Sequence, residues 1–267
     1  MIRRSAVAGS FYAGTRDRLR LQVEDLLPQG AAREPAIGVV APHAGYVYSG
    51  RVAAAVYARV AFPETVVILG PNHTGLGAGA AIMTYGQWET PLGEVRIDSA
   101  LGKAILANSS VLEEDHRGHL REHSIEVQLP FLQYADRPFV FVPICLFSHE
   151  YGACQDVGQA VARAILESGK PALVVASTDM SHYIPREEAA LKDRKAIDAI
   201  LSLDPEGLHR VVRREGISMC GFHPTTAMLV AAKALGATQA ELVMYTDSGA
   251  VTRDLREVVA YAGLIVR

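Results

Sequence analysis

Nine histidines and three cysteines are spread along the 267 residues of this chain, and several of them recur in one kind of place. His43 stands in VVAPHAGY, His73 in VVILGPNHTG, and Asp179 with His182 in LVVASTDMSHY. Each motif follows directly on a short apolar run that reads as a β-strand. Imidazole is a common transition-metal ligand and the side chain that titrates near neutrality, so strand-end histidines point to metal ligation or proton transfer. In open α/β folds ligands gather beyond the carboxyl ends of the strands, so motifs distant in sequence can converge there. Gly45, Gly70, Gly75, Gly77 and Gly79 surround these motifs and would let the backbone turn tightly around a ligand.

Two further segments carry reactive groups. Cys220 lies in Ser218-Met219-Cys220-Gly221-Phe222-His223-Pro224, just before an expected helix whose positive N-terminal end would favour the thiolate. In the run from Arg121 to Gln128, His123 and Glu126 are three apart and would share one face of a helix. Simpler readings apply elsewhere. Glu122 and Glu126 can solvate a helix face. Cys145, in an apolar strand, and Cys154, in a helix, read as small buried residues. His116, His119, His149 and His209 read as surface positions.

The elements that must position these groups alternate along the chain. Strand-like runs occur at Ile37–Val40, Thr65–Leu69, Phe139–Ile144, Ala172–Ala176, Glu241–Tyr245 and Val258–Val266, several of them apolar on both faces, as in strands covered from two sides. Helical patterns occupy Thr15–Leu27, Gly50–Val60, Glu122–Tyr134, Glu150–Ser168, Arg186–Leu203, Pro205–Glu215 and Pro224–Leu235. Pro130 should bend the third of these or delay its start. Trp88, Thr90, Val95 and Ile97 around Pro91-Leu92-Gly93 predict a hairpin. The expectation is one α/β domain over residues 1–267, a central mixed sheet flanked by helices.

Composition narrows the function classes. Hydrophobic residues make up 49%, charged residues 21%, and the net charge is −3, which gives no electrostatic case for nucleic acid or an anionic membrane. The arginine clusters at 16, 18 and 20 and at 210, 213 and 214 read as solvated helix faces. No apolar run reaches membrane-spanning length, and MIRRSAVAGSFYAG lacks the apolar core of a signal peptide. An odd number of widely spaced cysteines favours a reducing compartment, so the chain is expected in the cytoplasm.

Taken in order, AVAGSFY, APHAGYVYSG, LGPNHTG, WETPLGEV, EHSIEVQLPFL, STDMSHY and CGFHPTTAML resemble the Memo family, whose bacterial and archaeal members are also called AmmeMemoRadiSam system protein B. The resemblance spans nearly the whole chain and implies a fold similar to class III extradiol dioxygenases, which hold non-haem iron with two histidines and a carboxylate. By position it implies His43 and His73 as metal ligands and Cys220 in place of the carboxylate. It also implies His182, accompanied by Asp179, as an acid/base group, and His123 as a histidine on the substrate side. A thiolate is softer and more easily oxidised than a carboxylate, so Fe(II) or copper fits the set, zinc is possible, and ring cleavage does not follow.

Three functions use these residues. A metal-dependent redox enzyme would bind its ion at His43, His73 and Cys220 and move protons through His182. A metal-free mechanism would make Cys220 the nucleophile, His182 its base and Asp179 the orienting group. A binding module would use the same cleft for a small molecule, a peptide or a partner. The resemblance implies partners of the AMMECR and radical SAM types.

Overall fold

The computed structural model describes residues 1–135, 137–147 and 150–267. Its strands are β1 (Ile2–Arg3), β2 (Gly38–Ala41), β3 (Thr65–Pro71), β4 (Ala80–Ile82), β5 (Gln87–Thr90), β6 (Gly93–Ile97), β7 (Glu113–Glu114), β8 (Val140–Leu146), β9 (Ala172–Ser177), β10 (His182–Ile184), β11 (Ala240–Asp247) and β12 (Val258–Val266). The α-helices are α1 (Arg16–Leu26), α2 (Tyr46–Tyr57), α3 (Ser99–Asn108), α4 (Leu129–Tyr134), α5 (Tyr151–Ser168), α6 (Arg186–Leu201), α7 (Pro205–Glu215), α8 (Phe222–Ala234) and α9 (Gly249–Thr252). One 3₁₀ turn covers Glu126–Gln128.

All these strands join one mixed sheet, as expected from the alternating pattern. Its central path runs β1-β5-β6-β8-β3-β9-β2-β12-β10, with β11 on β12 and β4 on β8. The run β6, β8, β3, β9, β2 is parallel throughout, and β12 closes antiparallel on β2. Parallel strands end on the same edge, so the residues after β2, β3 and β9 emerge side by side. Alternation across the pleat builds two cores. Val40, Val67, Leu69, Val174 and Ala176 point to one, with α5 and α8, while Val39, Ile68, Val66, Leu173 and Val175 point to the other, with α1 and α2.

Among the departures from expectation, three have a local reason. The helix expected over Glu122–Tyr134 is absent across 122–125. A continuous helix would drive the Pro130 ring into the carbonyl four residues back, so the chain makes a 3₁₀ turn and starts α4 at Leu129 with the proline in its first turn. Helix α8 begins at Phe222 rather than Pro224, because a first-turn proline loses no intrahelical hydrogen bond. Helix α3 lacked a clear signal; its cap is Asp98, whose side chain accepts from Leu101 N at 3.0 Å. The six arginines of the two clusters are exposed, as read, and Cys145 and Cys154 are buried thiols. No helix among the described residues is long and apolar enough to cross a membrane.

Ile68 on β3 is fully buried in the second core. Ile68→Ala should therefore cost about 2–5 kcal/mol in urea unfolding. A loss below about 1 kcal/mol would contradict the packing described.

Candidate metal centre

His43 stands two residues past β2, His73 two past β3, Asp179 two past β9, and His182 opens β10. The parallel order β3-β9-β2 therefore brings three of the sequence motifs to one edge. The His43 and His73 ring centroids are 5.1 Å apart, and His123 stacks on His73 at 4.7 Å and meets His43 edge-on at 5.3 Å. Ligand nitrogens of His43, His73 and His123 all lie within 4.8 Å of one another, the one such group of three among the described residues.

The hydrogen bonds fix which nitrogen faces the cleft. Ser177 has one hydroxyl proton and donates it to the Ser124 carbonyl at 2.6 Å. Its Oγ must then accept from its other partners, Gln128 Nε2 at 2.8 Å and His43 Nδ1 at 2.9 Å. His43 thus carries its proton on Nδ1 and turns the Nε2 lone pair outward. Glu122 does the same for His73, accepting from Nδ1 at 2.9 Å. His123 Nδ1 lies 3.3 Å from the same carboxylate oxygen. A ring nitrogen tied to a carboxylate or hydroxyl leaves a basic, oriented Nε2, the arrangement found behind metal-ligating histidines. The residues present fit a bound cation.

Glu122, read from the sequence as one choice for a solvated helix position, is instead buried, and so is Glu126. Burial pushes the Glu122 carboxyl up. Hydrogen bonds from His73 and the Ser124 N–H, with electrostatic attraction to the His73 and His123 imidazoles, outweigh it and hold the group at about 2. Asp179 goes the other way. Its Oδ1 accepts from the backbone of His43 at 2.8 Å and Ala44 at 3.3 Å, yet burial dominates and pushes its carboxyl up to about 6. Burial, then the neighbouring His123, His73 and His182, keep His43 neutral. Burial likewise lowers His123.

Cys220 sits beyond Gly221, the N-cap of α8, with Sγ 3.2 Å from His43 Nε2 and 3.3 Å from the Asp179 N–H. Without a cation, burial pushes the thiol up and the helix end does not offset it, contrary to the expected thiolate. The metal-free triad is not assembled as expected either. The imidazole on Cys220 is His43, and the Asp179 carboxylate holds backbone N–H groups. His182 is oriented by Ser218, whose carbonyl accepts from Nδ1 at 2.9 Å. Two glycines are required by close approach. A Cβ on Gly70 would lie 2.5 Å from Ser124 Oγ, and one on Gly221 would lie 2.3 Å from the Ser177 carbonyl.

The group opens into a cleft of about 570 Å³ lined by Phe11, Tyr48, Tyr183 and Tyr261 besides His43, His73, His123, Asp179 and His182. No lysine or arginine lines it among the described residues. Tyr183 is 72% exposed at the rim and has φ 56°, where the β10–β12 register slips between His182 and Ile184. Of the histidines expected at the surface, His119 and His209 are buried and His116 is half-buried, 3.3 Å from Glu114; His149 lies outside the described residues. Burial and the Arg3 charge push His119 down to about 3.

A mixed α/β sheet with clustered histidines at its parallel strand ends defines a chain with a candidate metal cleft. The family model for Memo-like protein matches residues 3–265, and the chain belongs to that family. A MEMO1 family protein of Methanopyrus kandleri is 46% identical, over 100% of this chain and 99% of its own length. Another, from Methanothermobacter thermautotrophicus, is 44% identical over 99% of this chain and 100% of its own. The crystal structure of an uncharacterized protein from Escherichia coli K12 superposes with a TM-score of 0.57 at 13% identity, covering 85% of this chain and 98% of that one, a likeness of fold.

The two carboxylates should act on stability in opposite directions. Glu122 is held near 2 against an ordinary 4.5, so its ionised form stabilises the fold above pH 4.5, and that contribution drains away as pH falls through 2. Asp179 is raised from 3.8 to about 6, so keeping it ionised costs stability, absent below 3.8 and full above 6. At pH 7 and without metal, Glu122→Gln should destabilise by roughly 2–4 kcal/mol and Asp179→Asn stabilise by roughly 1–3 kcal/mol, read by urea unfolding. Equal signs would overturn the assignment.

Proposed function

We propose that this Memo-family chain binds a redox-active transition metal, Fe(II) or copper with zinc as the alternative ion, at His43, His73 and Cys220. The observation that carries the reading is the pair of Nδ1-tethered imidazoles, His43 and His73, whose ligand atoms lie with that of His123 within 4.8 Å of one another. Two donors compete for the third place. His123 closes the group as it stands, and Cys220 touches His43 Nε2. Cys220 is preferred because a cation bound at His43 would lie beside the sulfur and draw off its proton, reversing the effect of burial. His123, stacked on His73 and 4.7 Å from Phe11, then faces the substrate side.

When bound, the ion would supply Lewis-acid and one-electron chemistry. The chain's own residues do the rest. His182, with Nδ1 given to Ser218, turns Nε2 toward the cleft and can hold or move a proton there. Asp179 holds the His43–Ala44 backbone in place. The aromatic, cation-free lining suits an uncharged small molecule or a peptide side chain. That same lining also favours the second reading, a catalytically silent module in which Phe11, Tyr48 and Tyr183 grip a peptide or partner. Partners of the AMMECR and radical SAM types rest on the family resemblance alone. The free cysteines support a reducing, cytoplasmic setting.

The test is anaerobic equilibrium dialysis with Fe(II), followed by oxygen uptake. Wild type should retain one ion per chain. His43→Ala, His73→Ala and Cys220→Ala should each weaken binding at least about tenfold, and His123→Ala should keep the ion. Loss in His123→Ala with retention in Cys220→Ala would replace the thiolate with an all-histidine set. Undiminished metal in His43→Ala would end the metal reading. Binding without oxygen uptake or substrate turnover would favour the module.

A further inference from the structure

We infer that Arg3 is a positioning residue for the metal centre: its buried guanidinium clamps the 119–128 segment from which all three clustered histidines take their orientation. Arg3 is 1% exposed, lies 4.2 Å over the Trp88 ring, and spends its fork on a single stretch of chain. Nε donates to the His119 carbonyl at 3.0 Å, Nη2 to the Glu122 carbonyl at 2.5 Å, and Nη1 to the Glu126 carboxylate. That carboxylate also accepts from Ala6 N at 2.7 Å, Val7 N at 3.1 Å and the Tyr12 hydroxyl at 2.6 Å. Residues 3–12 and 119–126 are thus locked together.

Each histidine hangs on the clamped segment by a named bond. Glu122 holds the His73 backbone at 2.5 Å and its Nδ1 at 2.9 Å. His123 lies within the segment, and Phe11 from the locked N-terminal stretch packs on its ring. For His43 the link runs through Ser124, whose carbonyl takes the Ser177 proton, and through Gln128, which donates to Ser177 Oγ and to the Pro42 carbonyl at 2.9 Å. If that proton were released, Ser177 could donate to Nδ1, and Nε2 would lose its lone pair. A fully buried ion pair often adds little net stability compared with an apolar pair. A planar fork bridging two carbonyls and a carboxylate fixes geometry in a way that a lysine cannot.

This inference rests on the metal reading, and its test separates the two. Arg3→Lys keeps the charge and loses the fork; Arg3→Met with Glu126→Gln keeps the site neutral should the lysine variant fold poorly. A truncation in the core shared with α5 and α8, Ile200→Ala at a fully buried position, serves as the stability control. Three readouts are taken: thermal midpoint, Co(II) affinity from its visible absorption, and imidazole tautomers from ¹⁵N–¹H correlation spectra without metal. The clamp predicts at least about tenfold weaker Co(II) binding in the Arg3 variants than in Ile200→Ala at matched stability. It also predicts loss of the uniform Nδ1–H pattern at His43 and His73. Arg3 variants with parental tautomers, or with affinity no lower than the control, would overturn it. If wild type binds no Co(II), the metal reading falls, and the tautomer spectra alone decide for or against Arg3.

Discussion

The buried carboxylate of Glu122 accepts four N–H groups at once: the backbone and Nδ1 of His73, and the backbone of His123 and Ser124. A carboxylate out of water is costly unless its lone pairs are filled, and here they are filled by the site's own residues. Held near 2, it stays ionised across physiological pH. It therefore fixes His73 as the Nδ1–H tautomer and ties the 122–124 turn to the end of β3. Ser124 passes that order on to Ser177 and so to His43.

The sheet makes this economy possible. Because β3, β9 and β2 are parallel neighbours, His73, Asp179 and His43 leave the same edge in adjacent positions. Only backbone-close contacts then assemble the cleft, which is why Gly70 and Gly221 have no room for a Cβ. The cleft floor is neutral imidazole, raised carboxyl and raised thiol, all pushed that way chiefly by burial. At neutral pH the negative charge of the site rests on Glu122 and Asp179, and a cation is what would let the thiol ionise as well.

Much of this was legible in the sequence. Strand-end placement identified His43, His73, Asp179 and His182, since two-sided apolar runs mark covered parallel strands and loops at their ends carry ligands. The family resemblance singled out His123, which the structure places inside the histidine group. What escaped was burial of charge. Arg3, Glu122, Glu126 and His119 look like surface residues locally, and contacts distant in sequence, such as Arg3 with Glu126 and His73 with Glu122, bury them. The role of Ser177 was equally hidden, because a hydroxyl's importance lies in where its one proton goes. Pro130 did signal the broken helix, and that break is what frees residues 122–125 to form the turn.

The proposed function puts one transition-metal ion between His43 and His73. Anaerobic crystals soaked in Fe(II) and measured on both sides of the iron edge test it directly. One anomalous peak is expected within about 2.0–2.3 Å of His43 Nε2 and His73 Nε2, with Cys220 Sγ turned toward it. No peak in the cleft at full soak, or a peak held by other side chains while both imidazoles stay bound to water, would contradict it.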